Sequence, residues 1–281
     1  MALDTQSFPM NRWWAQAGLK AVQSNPAIFS NANRRMARKE LLAGANMLTA
    51  IKNWLSASKL IKKDGNGFVV GRYGKAILEN DPTFQRSSTW WAFHLLLCLS
   101  EDAYPYHGVF VQLEPSVRTY IGTKALVERV SEVEGNDLRV GTLETYLDGI
   151  LKTFGRDGAL EGLGLVESRI DRGASDDNVF WRLGAPLVPD GAILFGIALT
   201  RERFFPTRIS VDFSELIGMH LDHYLLTSQD ALRARIKQLS LKNLGLQYTT
   251  NANLDSLSFD PLFTAESVLI TFLQEGADTW M

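Results

Sequence analysis

Residues 87 to 100 read SSTWWAFHLLLCLS, and this segment constrains the fold more than any other. As a helix it is apolar on nearly every side, because Trp90, Trp91, Ala92, Phe93, Leu95, Leu96, Leu97, Cys98 and Leu99 leave no polar stripe. It is too short to cross a bilayer, and no run of about eighteen apolar residues occurs elsewhere. It must therefore be a central element walled in by other parts of the chain. The length of 281 residues suits two compact units, or three small ones, around such a core. The single cysteine, Cys98, excludes an internal disulfide and a multi-cysteine zinc site, so burial of seven Trp and fifteen Phe has to hold the fold. His94, inside the apolar run, reads as a core histidine, and Cys98 as a small hydrophobe. The opening MALDTQSFPMNRWW lacks the basic-then-apolar pattern of a secretory signal, so a cytoplasmic protein with no membrane partner is expected.

The formal charge of −2 conceals a strong segregation. Residues 1–75 hold twelve Lys or Arg against three Asp or Glu, a net +9, and the remainder carries −11. A segment of that charge attracts a polyanion, and the rest of the surface repels one.

The pattern within that quarter is helical and then hairpin-like. Apolar residues cluster on one side of Asn11 to Ser24, which is stopped by Asn25-Pro26. Phe29-Ser30-Asn31 offers a capping start, and a short helix over Arg34 to Leu42 follows. Asn46 is the expected cap of a third helix, Met47 to Ser58, with Leu48, Ile51 and Leu55 inward. Ile61-Lys62-Lys63 and Phe68-Val69-Val70 flank Asp64-Gly65-Asn66-Gly67, a strong turn in which both glycines accept positive φ. Helix, short helix, helix and hairpin is the order of a winged helix, whose third helix enters the DNA major groove while the hairpin meets phosphate. The expected contacts to double-stranded DNA are Arg34, Arg35, Arg38 and Lys39 on the positioning helix, Asn46, Thr49, Lys52 and Asn53 on the third helix, Lys62 and Lys63 on the hairpin, and Arg72 beyond it. Asn and Thr reach base edges, whereas Lys and Arg mostly supply sequence-independent phosphate contacts.

The remaining chain is acidic and mainly helical. Val117 to Glu132 and Leu143 to Phe154 read as helices, the latter with Thr142 as a cap. A turn over Asp171 to Asn178 leads into a strand at Val179 to Leu183 and makes a second helix–hairpin unit. Ile193 to Leu199 reads as a buried helix, Asp230 to Leu241 as an amphipathic one, residues 246–259 as a hairpin, and Thr264 to Leu273 as a last helix, with no clean sequence repeat. The expected fold class is mainly α with small β-hairpins, built from an N-terminal winged helix, a helical core and one or two further winged-helix-like units. The expected domains are residues 1–80, a basic winged-helix DNA-binding part; 81–188, an aromatic-rich helical core with the second unit; and 189–281, an acidic α+β part.

Catalytic motifs are absent from the pattern. Gly67, Gly71, Gly74 and Lys75 have the wrong spacing for a phosphate loop, and Ala76 stands where a metal-binding hydroxyl is needed. Pro189-Asp190 opens like a metal-dependent nuclease motif, but Glu202 is followed by Arg203 and Phe204, so the Glu-x-Lys partner is missing. His220-Leu221-Asp222-His223 places two imidazoles within one turn, and without a third ligand it reads as a surface helix. No catalytic residue and no metal ligand is assigned.

Ser7-Phe8-Pro9, a helix carrying Trp13 and Trp14, and Pro26-x-Ile28-Phe29 resemble the opening of a bacterial family of unknown function, found beside PAPS-reductase-like sulfur-transfer proteins. The likeness continues through Leu42-Ala43-Gly44-Ala45-Asn46-Met47-x-x-x-Ile51-x-x-Trp54 and Trp91-Ala92-Phe93-His94-Leu95-Leu96-Leu97, with weaker echoes at Leu160 to Val166 and at Pro189-Asp190. It departs at Gly44-Ala45-Asn46, where family members often carry Lys before Asn. One branch of that family is the DNA-nicking component of Ssp-type phosphorothioation systems, which install sulfur in the host DNA backbone and defend against phage. The resemblance implies a DNA-binding nickase using Mg or Mn, with sulfur-transfer, desulfurase and ATPase proteins as partners and oligomers in scope. A non-catalytic DNA-binding adaptor for those partners and a winged-helix transcription regulator fit the same residues.

Overall fold

Asn11 starts the first helix, because its side-chain oxygen accepts the Trp14 N–H at 2.8 Å. That helix, α1 (Arg12–Ser24), ends at Asn25, where the backbone turns extended ahead of Pro26. A 3-10 turn over Asn31–Asn33 feeds α2 (Arg34–Glu40) and then α3 (Ala45–Ala57). The computed structural model describes residues 2–113, 119–132, 138–172, 177–251 and 254–275. α3 begins earlier than the sequence indicates. Gly44 is its N-cap, with extended backbone and a carbonyl that accepts the Leu48 N–H at 2.9 Å, so Asn46 is an exposed residue of the first turn rather than the cap. The hairpin follows as β1 (Ile61–Asp64) and β2 (Gly67–Val70), paired Ile61 to Val70 and Lys63 to Phe68. Of the two turn glycines, Gly65 takes positive φ (+54°), whereas Gly67 is already strand. α4 (Arg72–Asn80) follows the hairpin.

The apolar segment forms α5 (Ser87–Cys98), with every side chain from Ser88 to Cys98 buried. Buried Asp81 anchors its start by accepting the Gln85 and Arg86 N–H groups, both at 3.0 Å, and the Thr89 hydroxyl at 2.7 Å. His94 is a fully buried core histidine. Its Nε2–H donates to the Tyr224 carbonyl at 2.8 Å, which fixes the tautomer, and the Tyr106 hydroxyl donates to Nδ1 at 2.8 Å. Burial pushes the imidazole pKa down from 6.5 to about 4.

Two further groups of elements repeat one order. After α6 (Tyr106–Gln112) come β3 (Ile121–Gly122), α7 (Thr123–Ser131), α8 (Val140–Lys152), β4 (Val166–Arg172) and β5 (Asp177–Leu183), and the antiparallel sheet runs β3-β5-β4. After α9 (Asp190–Phe204) come β6 (Ser210–Asp212), α10 (Phe213–Gly218), α11 (Leu221–Tyr224), α12 (Gln229–Ser240), β7 (Leu246–Asn251) and β8 (Leu254–Phe259), and the sheet runs β6-β8-β7. In both, the first strand pairs with the last strand of the hairpin. The short strands β3 and β6 are invisible to a period-two search. The helix expected from Val117 is therefore shortened to Thr123–Ser131 by a strand, and residues 117–118 lie outside the described residues, as do 173–176 of the expected turn. Thr142 is a helical residue of α8 and not its cap. The last helix, α13 (Ala265–Glu275), packs on α9 and α4. The described part is thus mainly α with small antiparallel sheets, and none of its helices is long and apolar enough to cross a membrane.

Residues 2–10 run as a strap between α3 and α8. The Asn53 amide donates to the Asp4 carbonyl (2.9 Å), the Trp54 indole N–H to the Phe8 carbonyl (3.1 Å), and the Thr5 hydroxyl to the Tyr146 carbonyl (3.0 Å). α8 admits the strap at Gly149, where an added Cβ would stand 2.4 Å from Thr5 Oγ1 and 2.6 Å from Thr5 Cβ. Gly149→Ala is expected to destabilise the protein by about 1–3 kcal/mol through overpacking, even though alanine favours helix. Urea unfolding of the two proteins checks it, and an unchanged midpoint refutes the tight seam.

Candidate nucleic-acid interface

Nine of the twelve basic residues of the first quarter fall into two classes. Some are consumed internally: Lys59 pairs with Asp102, and Arg72 pairs with Glu202 and stacks at 4.6 Å over the Tyr73 ring. Arg72 was expected on the contact face; its guanidinium instead ties α4 to α9. Asn53 was expected at base edges; its amide is spent on the strap. Both choices follow from neighbours far along the chain that local spacing does not display.

Seven other cations, Arg34, Arg35, Arg38, Lys39, Lys52, Lys62 and Lys63, form no ion pair among the described residues. Arg34, Arg35, Arg38 and Lys39 are exposed along α2 and line an open recess of about 720 Å³, bordered by Asn31, Leu42 and Gly44. A second cavity of about 250 Å³ shares Asn31 and Arg34 with the first and continues to Thr49 and Lys52 on α3. The recess and the cavity therefore make one continuous basic strip from α2 to the outer side of α3. α3 also starts without a side-chain cap, leaving first-turn N–H groups to favour negative charge beside Gly44 and Ala45. The acids on these elements are Glu40 and Asp64.

The hairpin joins the strip at one edge. The Phe68 N–H donates to the Pro26 carbonyl at 2.8 Å, and the Phe68 ring meets Phe29 edge-on, with centroids 6.2 Å apart. Phe29 lines the smaller cavity. Lys63 is paired with Phe68, so the two side chains share a face of the hairpin, while Lys62 shares the other face with Val69. Both lysines are exposed, and Lys63 is the one on the Phe29 side.

Several cations elsewhere are paired. In the third group, Arg233 binds Asp255 at 2.8 Å, and Arg235 and Lys242 both bind Asp190. In the second, Arg182 binds Glu167 at 2.6 Å and α8 exposes Glu144. The residues missed by sequence reasoning are Phe29, Asn31 and the backbone at Gly44; only Asn31, as a capping candidate, left a local signal.

Histidines offer no metal centre. His107 is pushed down to about 4 by burial, with Arg203 and His220 adding repulsion. His220 and His223 meet edge-on with ring centres 5.6 Å apart, but Leu221, Asp222 and Tyr224 between and beside them are buried, so this stretch is a half-buried turn of α11 and not a surface helix. Among the described residues no three His, Cys, Asp or Glu side chains converge on a point a metal could occupy.

Comparison with known proteins places this architecture. A solved structure described as magnesium ion-bound SspB superposes with a TM-score of 0.76 at 18% identity, covering 98% of this chain and 87% of that one. A second SspB structure superposes with a TM-score of 0.71, also at 18% identity, covering 97% and 86%. At this identity the likeness is one of fold. No curated protein matches the sequence. The model of a family described as a protein of unknown function, DUF4007, matches residues 4–272, and the chain therefore belongs to that family.

Proposed function

We propose that this chain is the duplex-DNA-binding component of a bacterial DNA phosphorothioation system that serves in anti-phage defence. The observation that carries this is the unneutralised strip: seven cations without ion pairs among the described residues on α2, α3 and the hairpin, whereas Arg233 and Arg235 on α12 of the third group are both paired. In this reading the first quarter is a winged helix, α3 faces the major groove with Asn46, Thr49 and Lys52, and α2 and Lys63 straddle it on phosphate. The two later groups, each a strand, a run of helices and a hairpin, are winged-helix-like units whose internally paired charges suit protein contacts, where sulfur-transfer and ATPase partners would dock. The likeness to SspB supports the system assignment.

The test is a fluorescence-anisotropy titration of a short duplex with rising salt. Five or six phosphate contacts give log K against log salt a slope of about −5. A slope near zero, or no binding at low salt, overturns the proposal.

Strand cutting is a second reading, favoured by the magnesium held in one SspB structure. The described residues supply no ligand set for it, so it has no assigned catalytic side chain. Supercoiled plasmid incubated with the protein and Mg²⁺ or Mn²⁺ turns into open circles under this reading, and stays supercoiled if the chain is an adaptor.

A further inference from the structure

The smaller cavity on the basic strip is walled by α2, α3 and the turn over residues 28–31, and its accessible lining is mostly polar. Ser30, Asn31, Arg34, Thr49 and Lys52 supply the polar side chains, and among the described residues no carboxylate and no imidazole lines it. The Thr49 hydroxyl donates its proton to the Ala45 carbonyl at 3.2 Å and is the one of the five with an internal partner among the described residues. The Ser30 hydroxyl, the Asn31 amide, the Arg34 guanidinium and the Lys52 ammonium have none there. Lys52 is half-buried, where a cation gains more from a counter-charge than it would in open water. Four donor-bearing side chains, two of them charged, thus surround one hollow of about 250 Å³ that holds nothing to oppose them. An anion with several acceptor oxygens satisfies all four.

We propose that this cavity takes the terminal phosphate of a DNA strand, a phosphomonoester at a break or an end. The inference rests on the DNA-binding reading above and deepens it; it does not require that this chain cut the strand. A phosphate inside a continuous backbone carries one charge and a sugar on each side, and both sugars have to follow it. It suits the open recess of about 720 Å³ along α2, where Arg35, Arg38 and Lys39 lie. A terminal phosphate is bonded on one side only, so it enters a narrow hollow ahead of its sugar. It carries about two negative charges at neutral pH and three free acceptor oxygens, which matches Arg34 and Lys52 together, with Ser30 and Asn31 as neutral donors. Arg34 and Asn31 line both the recess and the cavity, so a strand lying along the recess delivers its end to the cavity without leaving its charge partners.

The experiment titrates the full chain with labelled duplexes of one sequence: one intact, and three with a single break carrying a 5′-phosphate, a 3′-phosphate or hydroxyls alone. A phosphorylated break is expected to bind about tenfold tighter than the hydroxyl break, the scale of charge-assisted hydrogen bonds. Lys52→Gln is expected to bring that ratio close to one, and Ser30→Ala to lower it about threefold. Arg38→Gln, which lines the recess alone, weakens every duplex and keeps the ratio. Circular dichroism verifies each fold, and Ser30→Ala, whose hydroxyl has no internal partner, carries the test where Lys52→Gln is unstable. Equal affinity for the three broken duplexes, or a ratio that survives Lys52→Gln and Ser30→Ala, overturns the inference while leaving the DNA reading intact. Failure of the unaltered protein to bind any duplex at low salt overturns the DNA reading and this inference with it. A last arm adds free deoxynucleoside monophosphates. Displacement of the phosphorylated duplex only at concentrations far above its own supports a strand-borne phosphate; displacement at equal concentration assigns the cavity to free monophosphates and overturns the inference.

Discussion

Reversing Arg35 and Arg38 to Glu is expected to weaken duplex binding by about a hundredfold near physiological salt and to flatten the salt slope by about two. Both residues are exposed on α2, both line the larger recess, and neither is paired with a carboxylate among the described residues. The substitution removes two counterion-releasing contacts and puts like charge beside phosphate, so the loss falls on all sequences alike. A control is Lys237→Glu on α12, whose ammonium sits 5.3 Å from the centre of the Tyr248 ring outside the strip. That change alters total charge in the same direction and should move affinity less than threefold at about 0.15 M salt, where the Debye length is ~8 Å. If the control and the double reversal weaken binding equally, only net charge matters and the localised interface is wrong.

Acidification from pH 6.5 to about 4 is expected to destabilise the protein through its buried imidazoles, ahead of the loss of its salt-bridged carboxylates. His94 and His107 are held neutral in the fold with pKa values near 4, against 6.5 when unfolded. Between those values the unfolded chain binds protons that the native chain refuses, so stability rises with pH and falls on acidification. The stability is complete above pH 6.5 and is lost progressively down to about 4. For His94, with no exposure to solvent, the window is worth about 3 kcal/mol. The salt-bridged carboxylates with depressed pKa, such as Asp102, lose their contribution lower, below about pH 4. Urea midpoints measured across the range check this. His94→Gln keeps a donor for the Tyr224 carbonyl and removes the titration, so its midpoint should start lower and vary less with pH. A wild-type midpoint that stays flat from pH 6.5 to 4 refutes neutral burial.

Much of the first quarter was legible in the sequence because its determinants are local. The alternation of Ile61 to Val70 around a glycine turn, the stop at Asn25-Pro26 and the inward spacing of Leu48, Ile51 and Leu55 are all decided within a few residues. So was the central placement of α5, since no surface could accept Trp90 to Leu99. What stayed hidden was long-range. Strands β3 and β6 span two and three residues and exist because β5 and β8 offer a free edge. Whether Arg72 or Asn53 is free depended on Glu202 and Asp4, which lie 130 and 49 positions away. The cavity beside Phe29 needed Phe68, brought over by the hairpin. Charge segregation located the strip, and only the pairing pattern separated its free cations from its structural ones.

The strap has a further consequence for anyone handling the molecule in pieces. Trp54 is wholly enclosed by Phe8, Phe93 and Tyr106, and Tyr73 meets Phe195 edge-on. An excised fragment ending near residue 80 would keep every arginine on its front and lose the backing that shapes that front, laying bare a tryptophan and a tyrosine on its reverse. Such a fragment would aggregate and bind acids indiscriminately, and its affinity would say nothing of the intact protein.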